Sequence, residues 1–233
     1  MKLIKSILIF LLILITSACL LAYAHGYLKF KEAIKEVSIE EKVSEIKSIK
    51  NYTKIGEIPQ IYVDAVVSVE DRRFYTHEGF DLVGTFRAFW VNFSSKALRE
   101  GGSTITQQLA KNMYFPLDNT LERKVAEVIL ALEIEKKYSK DEILELYFNI
   151  IYYGSGYYNI HDAAYGYFGK PPSEMNEYEA TLLAGVPNAP SVYSPKVNLD
   201  LAHKRQEKVV SSLLDNKIIS QDDAKRILSF QTR

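Results

Sequence analysis

Gly101-Gly102-Ser103-Thr104-Ile105-Thr106-Gln107-Gln108-Leu109-Ala110-Lys111-Asn112 puts two glycines, three hydroxyl residues, paired glutamines and a lysine into one mostly polar turn-to-helix segment. A packing surface has no need of that composition. Glycines let backbone amides approach a ligand closely, and Ser103 or Thr104 can cap the helix that follows. Exposed amides at such a helix start favour an anion, and Lys111 adds a full positive charge one to two turns later. The segment reads as a phosphate or pyrophosphate cradle. Glycine-rich caps also occur without any ligand, so the composition alone does not decide between the two.

A second segment weighs on that choice. Glu70-Asp71-Arg72-Arg73-Phe74-Tyr75-Thr76-His77-Glu78-Gly79-Phe80-Asp81 gathers charged side chains and a histidine around three aromatics. Together the two segments resemble the glycosyltransferase domain of peptidoglycan synthases, the transglycosylase family of penicillin-binding proteins. That family carries Glu-Asp-x-x-Phe-x-x-His-x-Gly followed by Gly-x-Ser-Thr-Ile-x-Gln-Gln-x-x-Lys-Asn, and both patterns stand here in full and in order. Three further family patterns follow: Arg123-Lys124-Val125-Ala126-Glu127, then Lys140 to Asn149, then Gly154, Gly156, Ala163, Ala164 and Tyr167 to Lys170. Asn159 and His161 stand where the family usually has Gly and Glu. Asparagine tolerates a left-handed backbone, so a turn is expected at Asn159.

Composition sets bounds on the function. Lysine plus arginine and aspartate plus glutamate are both 29, so no global basic field points to nucleic acid. Anion binding must come from local clustering. Sixteen tyrosines and eleven phenylalanines suit a membrane interface or sugar rings, and equally a core. From Ser6 to Ala24 the chain carries no charge, and those 19 residues approach the roughly 20 that span a hydrocarbon core. Lys2 and Lys5 in front orient the N-terminus to the cytoplasm and the rest to the outer face. A cleaved signal peptide is the rival reading, because Ala22-Tyr23-Ala24 is a small-x-small site. Cys19, the single cysteine, lies within this run.

The expected organisation is a transmembrane anchor over residues 1–24, an amphipathic stalk and linker over 25–57, and a catalytic domain over 58–233. In the stalk Leu28, Ala33, Ile34, Val37 and Val43 fall near helical spacing, and Asn51 to Pro59 reads as a short linker. The domain reads as mainly α. Helices are expected over 61–69, 82–93, 120–137, 140–149, 177–185, 199–216 and 221–230. Val125, Val128, Ile129 and Leu132 form an apolar stripe on the third, and Ser139 with Glu142 makes a capping box for the fourth. Pro187, Pro190 and Pro195 mark an irregular connection. The chain stops soon after the last helix, where bifunctional relatives continue into a transpeptidase domain, so a monofunctional enzyme is expected.

The resemblance implies a lysozyme-like helical fold and polymerisation of lipid II into β-1,4-linked glycan strands, with inversion and release of undecaprenyl pyrophosphate. Glu70 is expected as the general base that takes the acceptor hydroxyl proton, with Asp71, Arg72, Arg73 and His77 holding its charge state. Lys111, Arg123 and Lys124 are expected to receive the pyrophosphate. Glu127 shares a helix face with Arg123 and is expected to orient basic residues or the donor, or to hold an ion against the pyrophosphate. Asp71, Phe74, His77, Ser103, Thr104, Gln107, Gln108 and Asn112 complete the expected substrate contacts. The family uses Mg²⁺ or Mn²⁺, but the sequence has no dedicated metal cluster, so any ion is expected to travel with the substrate. The implied partners are lipid II, the growing strand, the bacterial cell membrane and other cell-wall synthesis proteins. Two other readings stay open on the residues: a lytic transglycosylase or lysozyme that cleaves glycan, and a non-catalytic scaffold.

Overall fold

The computed structural model describes residues 2–95, 101–116, 118 and 120–230. The order is α1 (Lys2–Glu36), α2 (Ile39–Lys47), α3 (Gln60–Glu70), α4 (Leu82–Ser95), α5 (Ile105–Tyr114), α6 (Leu121–Lys137), α7 (Lys140–Phe148), α8 (Ile160–Phe168), α9 (Glu177–Gly185), α10 (Pro190–Tyr193), α11 (Leu199–Asp215) and α12 (Gln221–Ser229). Among the described residues the only extended pairing is an isolated bridge between Glu78 and Phe80. The fold is mainly α, as the periodicity and the resemblance imply.

Helix α3 is the centre. Its sequence is apolar on most faces, and Tyr62, Val63, Ala65, Val66 and Val67 are all buried between α9 and α11. A helix buried that widely is fixed by tertiary packing more than by propensity. Helix α5 rests on α6 and α7 to one side of it. The Ser139–Glu142 capping box opens α7 as expected, with Glu142 N donating to Ser139 Oγ and Ser139 N to Glu142 Oε2.

The anchor and stalk differ from expectation. α1 runs unbroken past Ala24 to Glu36, and its C-terminal half lies on α6. Phe30, Ile39, Val43 and Ile46 belong to the main core, so residues 25–47 are packed into the domain and not a free-standing stalk. The reason is local: Gly26 has no side chain, and Val125 of α6 fills the space where one would be. Lys29 then pairs with Asp118 and lies over the Phe115 ring. The expected linker is docked too. Asn149 clamps Thr53, accepting from its N–H and donating to its carbonyl, both at 2.8 Å. Glu145 accepts from Ile55 N at 2.8 Å and from the Tyr52 hydroxyl.

On α6 the deeply buried side is Ala126, Leu130, Ala131 and Ile134, while Val125, Val128 and Ile129 are half-buried and Leu132 is exposed. The helix is packed on two sides, so its apolar stripe does not mark its most buried face. Helix α8 was not expected from the sequence. Asn159 is extended (φ −153°) and caps α8 by accepting from Asp162 N, so it is not the left-handed residue. That conformation belongs to Gly154, Ser155 and Gly156, and a side chain at Gly154 would strike the Pro190 carbonyl.

Alanine at Gly26 would raise helix propensity by about 1 kcal/mol. Its Cβ, however, would come within 2.4 Å of Val125 Cβ, and overpacking of that kind costs about 1–3 kcal/mol. The clash outweighs the gain. Gly26→Ala is therefore expected to lower the melting temperature of the detergent-solubilised chain, with Gly56→Ala, where nothing lies within 4 Å, as the control. A raised melting temperature for Gly26→Ala would mean that α1 is not seated on α6 in this way.

Candidate active site

A cleft of about 740 Å³ opens between the end of α3, the start of α4, the 101–104 turn, α5, the first turns of α6, and α11. Its lining carries Arg72, Arg73, Arg87, Lys111, Arg123, Lys124, Arg205 and Lys208 against Glu70, Asp71, Asp81, Glu127 and Asp215. A chain of zero formal net charge thus concentrates positive charge in one concavity. Low-dielectric walls make such a field act more strongly than the same charges on an open surface.

Glu70 is the last residue of α3 and faces this cleft. The carbonyl end of a helix carries partial negative charge and disfavours a carboxylate there. Two donors from other elements compensate. Arg205 Nη2 of α11 donates to Oε1 at 3.1 Å, and Gln108 Nε2 of α5 donates to Oε2 at 3.2 Å. The side chains of Glu70 and Arg205 are only 10% and 12% exposed, so the pair is largely removed from water.

Three of the groups expected to hold Glu70, namely Asp71, Arg73 and His77, are engaged elsewhere, while Arg72 lines the cleft. Arg73 pairs with Asp81, and that hydrogen bond, with one from Gly84 N, holds the Asp81 carboxyl down at about 2. Asp71 is buried and accepts from His77 Nε2 at 2.9 Å and from Ile105 N at 3.0 Å. Asp71 therefore supplies the carboxylate that the first turn of α5 attracts. Thr104 completes that cap with a reciprocal Gln107 box and donates to the Gly79 carbonyl. Two of the amides expected to cradle an anion, those of Ile105 and Gln107, are thus already bonded.

The positive groups left facing the cleft are instead side chains. Lys124 donates to Ser103 Oγ at 2.7 Å and to Glu127 Oε2 at 3.1 Å. Arg123 donates to Glu127 Oε1 at 2.8 Å, and its buried Nε has no partner among the described residues. Lys111 lines the cleft with no ion-pair partner among the described residues. Glu127, almost wholly buried, orients the two cations beside it. Both its oxygens are engaged by them, which does not fit a divalent ion held by Glu127. Among the described residues no other group of three potential ligands gathers.

The structure therefore brings Glu70, Asp71, Ser103, Thr104, Gln107, Gln108, Lys111, Arg123, Lys124 and Glu127 to one cleft. Three expected contacts lie outside the lining. Phe74 is fully buried beneath Lys140, whose Nζ is 4.4 Å from the ring centre. His77 is turned to Asp71, and Asn112 donates to the Gln108 carbonyl at 2.9 Å. Their motif places come from holding the cleft walls. Arg205 escaped the sequence reading. It stands beside Gln206 on a helix whose Ala202, Val209 and Leu213 are buried, which marks an inward edge but not the partner 135 residues away.

The sequence profile described as Transglycosylase matches residues 33–214. Penicillin-binding protein 1A of Neisseria gonorrhoeae is 46% identical over 171 residues, covering 73% of this chain and 21% of that protein. The chain thus spans about a fifth of the length of such relatives. A protein of Cupriavidus necator, named provisionally as a transglycosylase, is 45% identical over 173 residues, 74% of each chain. The crystal structure of penicillin-binding protein 1A from Haemophilus influenzae is similar at 24% identity and a TM-score of 0.46, over 76% of this chain and 17% of that one.

Removing one partner of a buried ion pair costs about 3–5 kcal/mol because the other charge is left uncompensated. Arg205→Met is expected to destabilise the chain on that scale. Adding Glu70→Gln should recover much of the loss, since no bare carboxylate then remains. Denaturant unfolding of both single variants and the double one measures this, and losses that simply add would show that the two side chains are not coupled.

Proposed function

The chain belongs to the transglycosylase family, and from that membership we propose that its cleft polymerises lipid II into peptidoglycan glycan strands. The observation that supports this best is that one carboxylate, Glu70, shares its cleft with a cation cluster and with Lys111, which has no ion-pair partner among the described residues. Cleavage of a neutral glycan gives no use for that cluster. A leaving pyrophosphate does.

In the proposed reaction the acceptor's C4 oxygen attacks C1 of the donor sugar while the C1–O bond to the pyrophosphate breaks. The hydroxyl proton passes to Glu70, and the bonding pair leaves with the pyrophosphate. In-line attack on an α-linked donor gives a β-1,4 bond. Arg205 and Gln108 fix the carboxylate so that its remaining lone pairs face the acceptor, and general-base assistance of this kind contributes roughly 10²–10⁴-fold. Lys111, Arg123 and Lys124 stabilise charge as it develops on the pyrophosphate oxygens, arginine as a planar fork and lysine as a point charge. A Mg²⁺ or Mn²⁺ ion bound with the substrate would supply further charge neutralisation at the pyrophosphate, with no residue of the cleft assigned to hold it.

The membrane is part of the proposal. The exposed apolar segment of α1 is long enough to span a bilayer, with Lys2 and Lys5 on the cytoplasmic side and the cleft on the outer face. On α4, Leu82, Val83, Phe86, Trp90 and Phe93 are all exposed, an apolar face that suits a bilayer surface beside the cleft.

Glu70→Gln keeps the shape and loses the proton acceptor. It is expected to leave a folded protein whose lipid II polymerisation falls by about 10² or more; activity within a few-fold of wild type would eliminate Glu70 as the base. Lys111→Ala bares no carboxylate, so stability should stay within about 0.5 kcal/mol. Donor turnover, measured with labelled lipid II, should drop at least about tenfold. A change in stability alone would remove Lys111 from the cradle.

A further inference from the structure

We infer that Tyr147 is a positioning residue for the reaction, acting through Gln108 on Glu70, and this rests on the reading of Glu70 as the base. Tyr147 lies on α7, fully buried, and is not itself part of the cleft lining. Its hydroxyl donates to Gln108 Oε1 at 2.9 Å, and Gln108 Nε2 donates to Glu70 Oε2 at 3.2 Å. A phenylalanine would fill the same space without burying a hydroxyl, whose desolvation must be matched by a hydrogen bond. The hydroxyl is there for Gln108.

The direction of the chain follows from what each group can do. A carboxylate only accepts, so the amide must turn its nitrogen to Glu70 and its oxygen away. The oxygen then needs a donor behind it. The reverse orientation would set the amide oxygen against the carboxylate, two acceptors with like charge. A hydroxyl could serve either orientation, but here its proton is secure. Burial, with the negative charges of Glu70 and Asp71 nearby, pushes the Tyr147 phenol well above its ordinary range, so it does not ionise. Tyr147 thus selects the one amide orientation that gives Glu70 a second donor beside Arg205.

The test is a double-mutant cycle on lipid II polymerisation by the full chain in detergent. Tyr147→Phe removes one oxygen from a packed ring. It should lower kcat roughly tenfold, the scale of a weakened bond to a charged group, while KM for lipid II shifts less than about threefold. Gln108→Leu, made from the half-buried cleft side, should lower kcat at least as much. In the Gln108→Leu background Tyr147→Phe should then cost nothing further. A loss below about twofold in Tyr147→Phe, or losses that multiply in the double variant, would overturn the relay. Should Tyr147→Phe fail to fold, Gln108→Leu decides alone, since an unchanged kcat there breaks the same link. Glu70→Gln run alongside separates the two readings. If it stays active the base assignment falls and the relay with it; if it is inactive while Tyr147→Phe is normal, the relay alone falls.

Discussion

A carboxylate held largely out of water at the carbonyl end of a helix needs donors from other elements in place of the water it has lost. Glu70 is in that position, and its two donors come from α11 and α5, far apart in sequence. That requirement accounts for much of the packing. α3 must be wedged between α9 and α11 so that Arg205 arrives at Glu70, and α5 must lie on α7 so that Gln108 is backed by Tyr147. The apolar faces of α3 and α7 are the means of that alignment. A shift of one turn in either helix would leave a largely buried charge uncompensated.

The second constraint is the distribution of cations in a chain with none to spare. Glu127 and Asp81 are not idle acids in a basic cleft. Glu127 holds Arg123 and Lys124 side by side, and Asp81 draws Arg73 away toward the start of α4. Two adjacent cations repel each other, and a buried carboxylate between them lets them stay close before an anion arrives. Lys111 carries no such partner among the described residues, so on the proposed function it offers charge that a ligand need not compete for. The cleft therefore combines two kinds of cation, one pre-positioned and one free to meet the ligand.

What the sequence disclosed followed the range of the interaction involved. Capping is local, so Ser139 with Glu142, and Thr104 at the head of α5, could be read from a few residues. Helix positions for α3, α4, α9, α11 and α12 were legible for the same reason. Faces were not. α6 meets α1 on one side and the core on another, so its most apolar stripe and its most buried one differ. α8, nine residues long between glycine-rich turns, left too short a pattern. The site motifs were legible as a set, yet a motif does not distinguish a wall from a ligand contact. Phe74 and His77 hold the wall while Lys111 meets the cleft, and only distance separates them. Arg205 and Tyr147 act across long stretches of chain and left no local sign.

The apolar N-terminal helix and the cleft are mechanically joined through α6. Lys29 of α1 pairs with Asp118 and hydrogen-bonds Thr120, the residue that caps α6. Gly26, one turn earlier, lets α1 press on Val125. Arg123 and Lys124 lie in the first turn of that same α6, so these cleft cations are tied to α1 through rigid helix. At a rise of about 1.5 Å per residue, Ala24 and Lys29 are only about 7–8 Å apart along the axis. If the apolar run of α1 lies in the hydrocarbon, as the proposed function requires, the first turn of α6 stands at the depth of the lipid headgroups. On the proposed function that is the depth at which a lipid-borne pyrophosphate resides. A free stalk would have left the cleft to search for its substrate across a range of heights. A continuous helix seated on α6 removes that freedom before binding, and the entropy of alignment is met in folding instead of at each encounter.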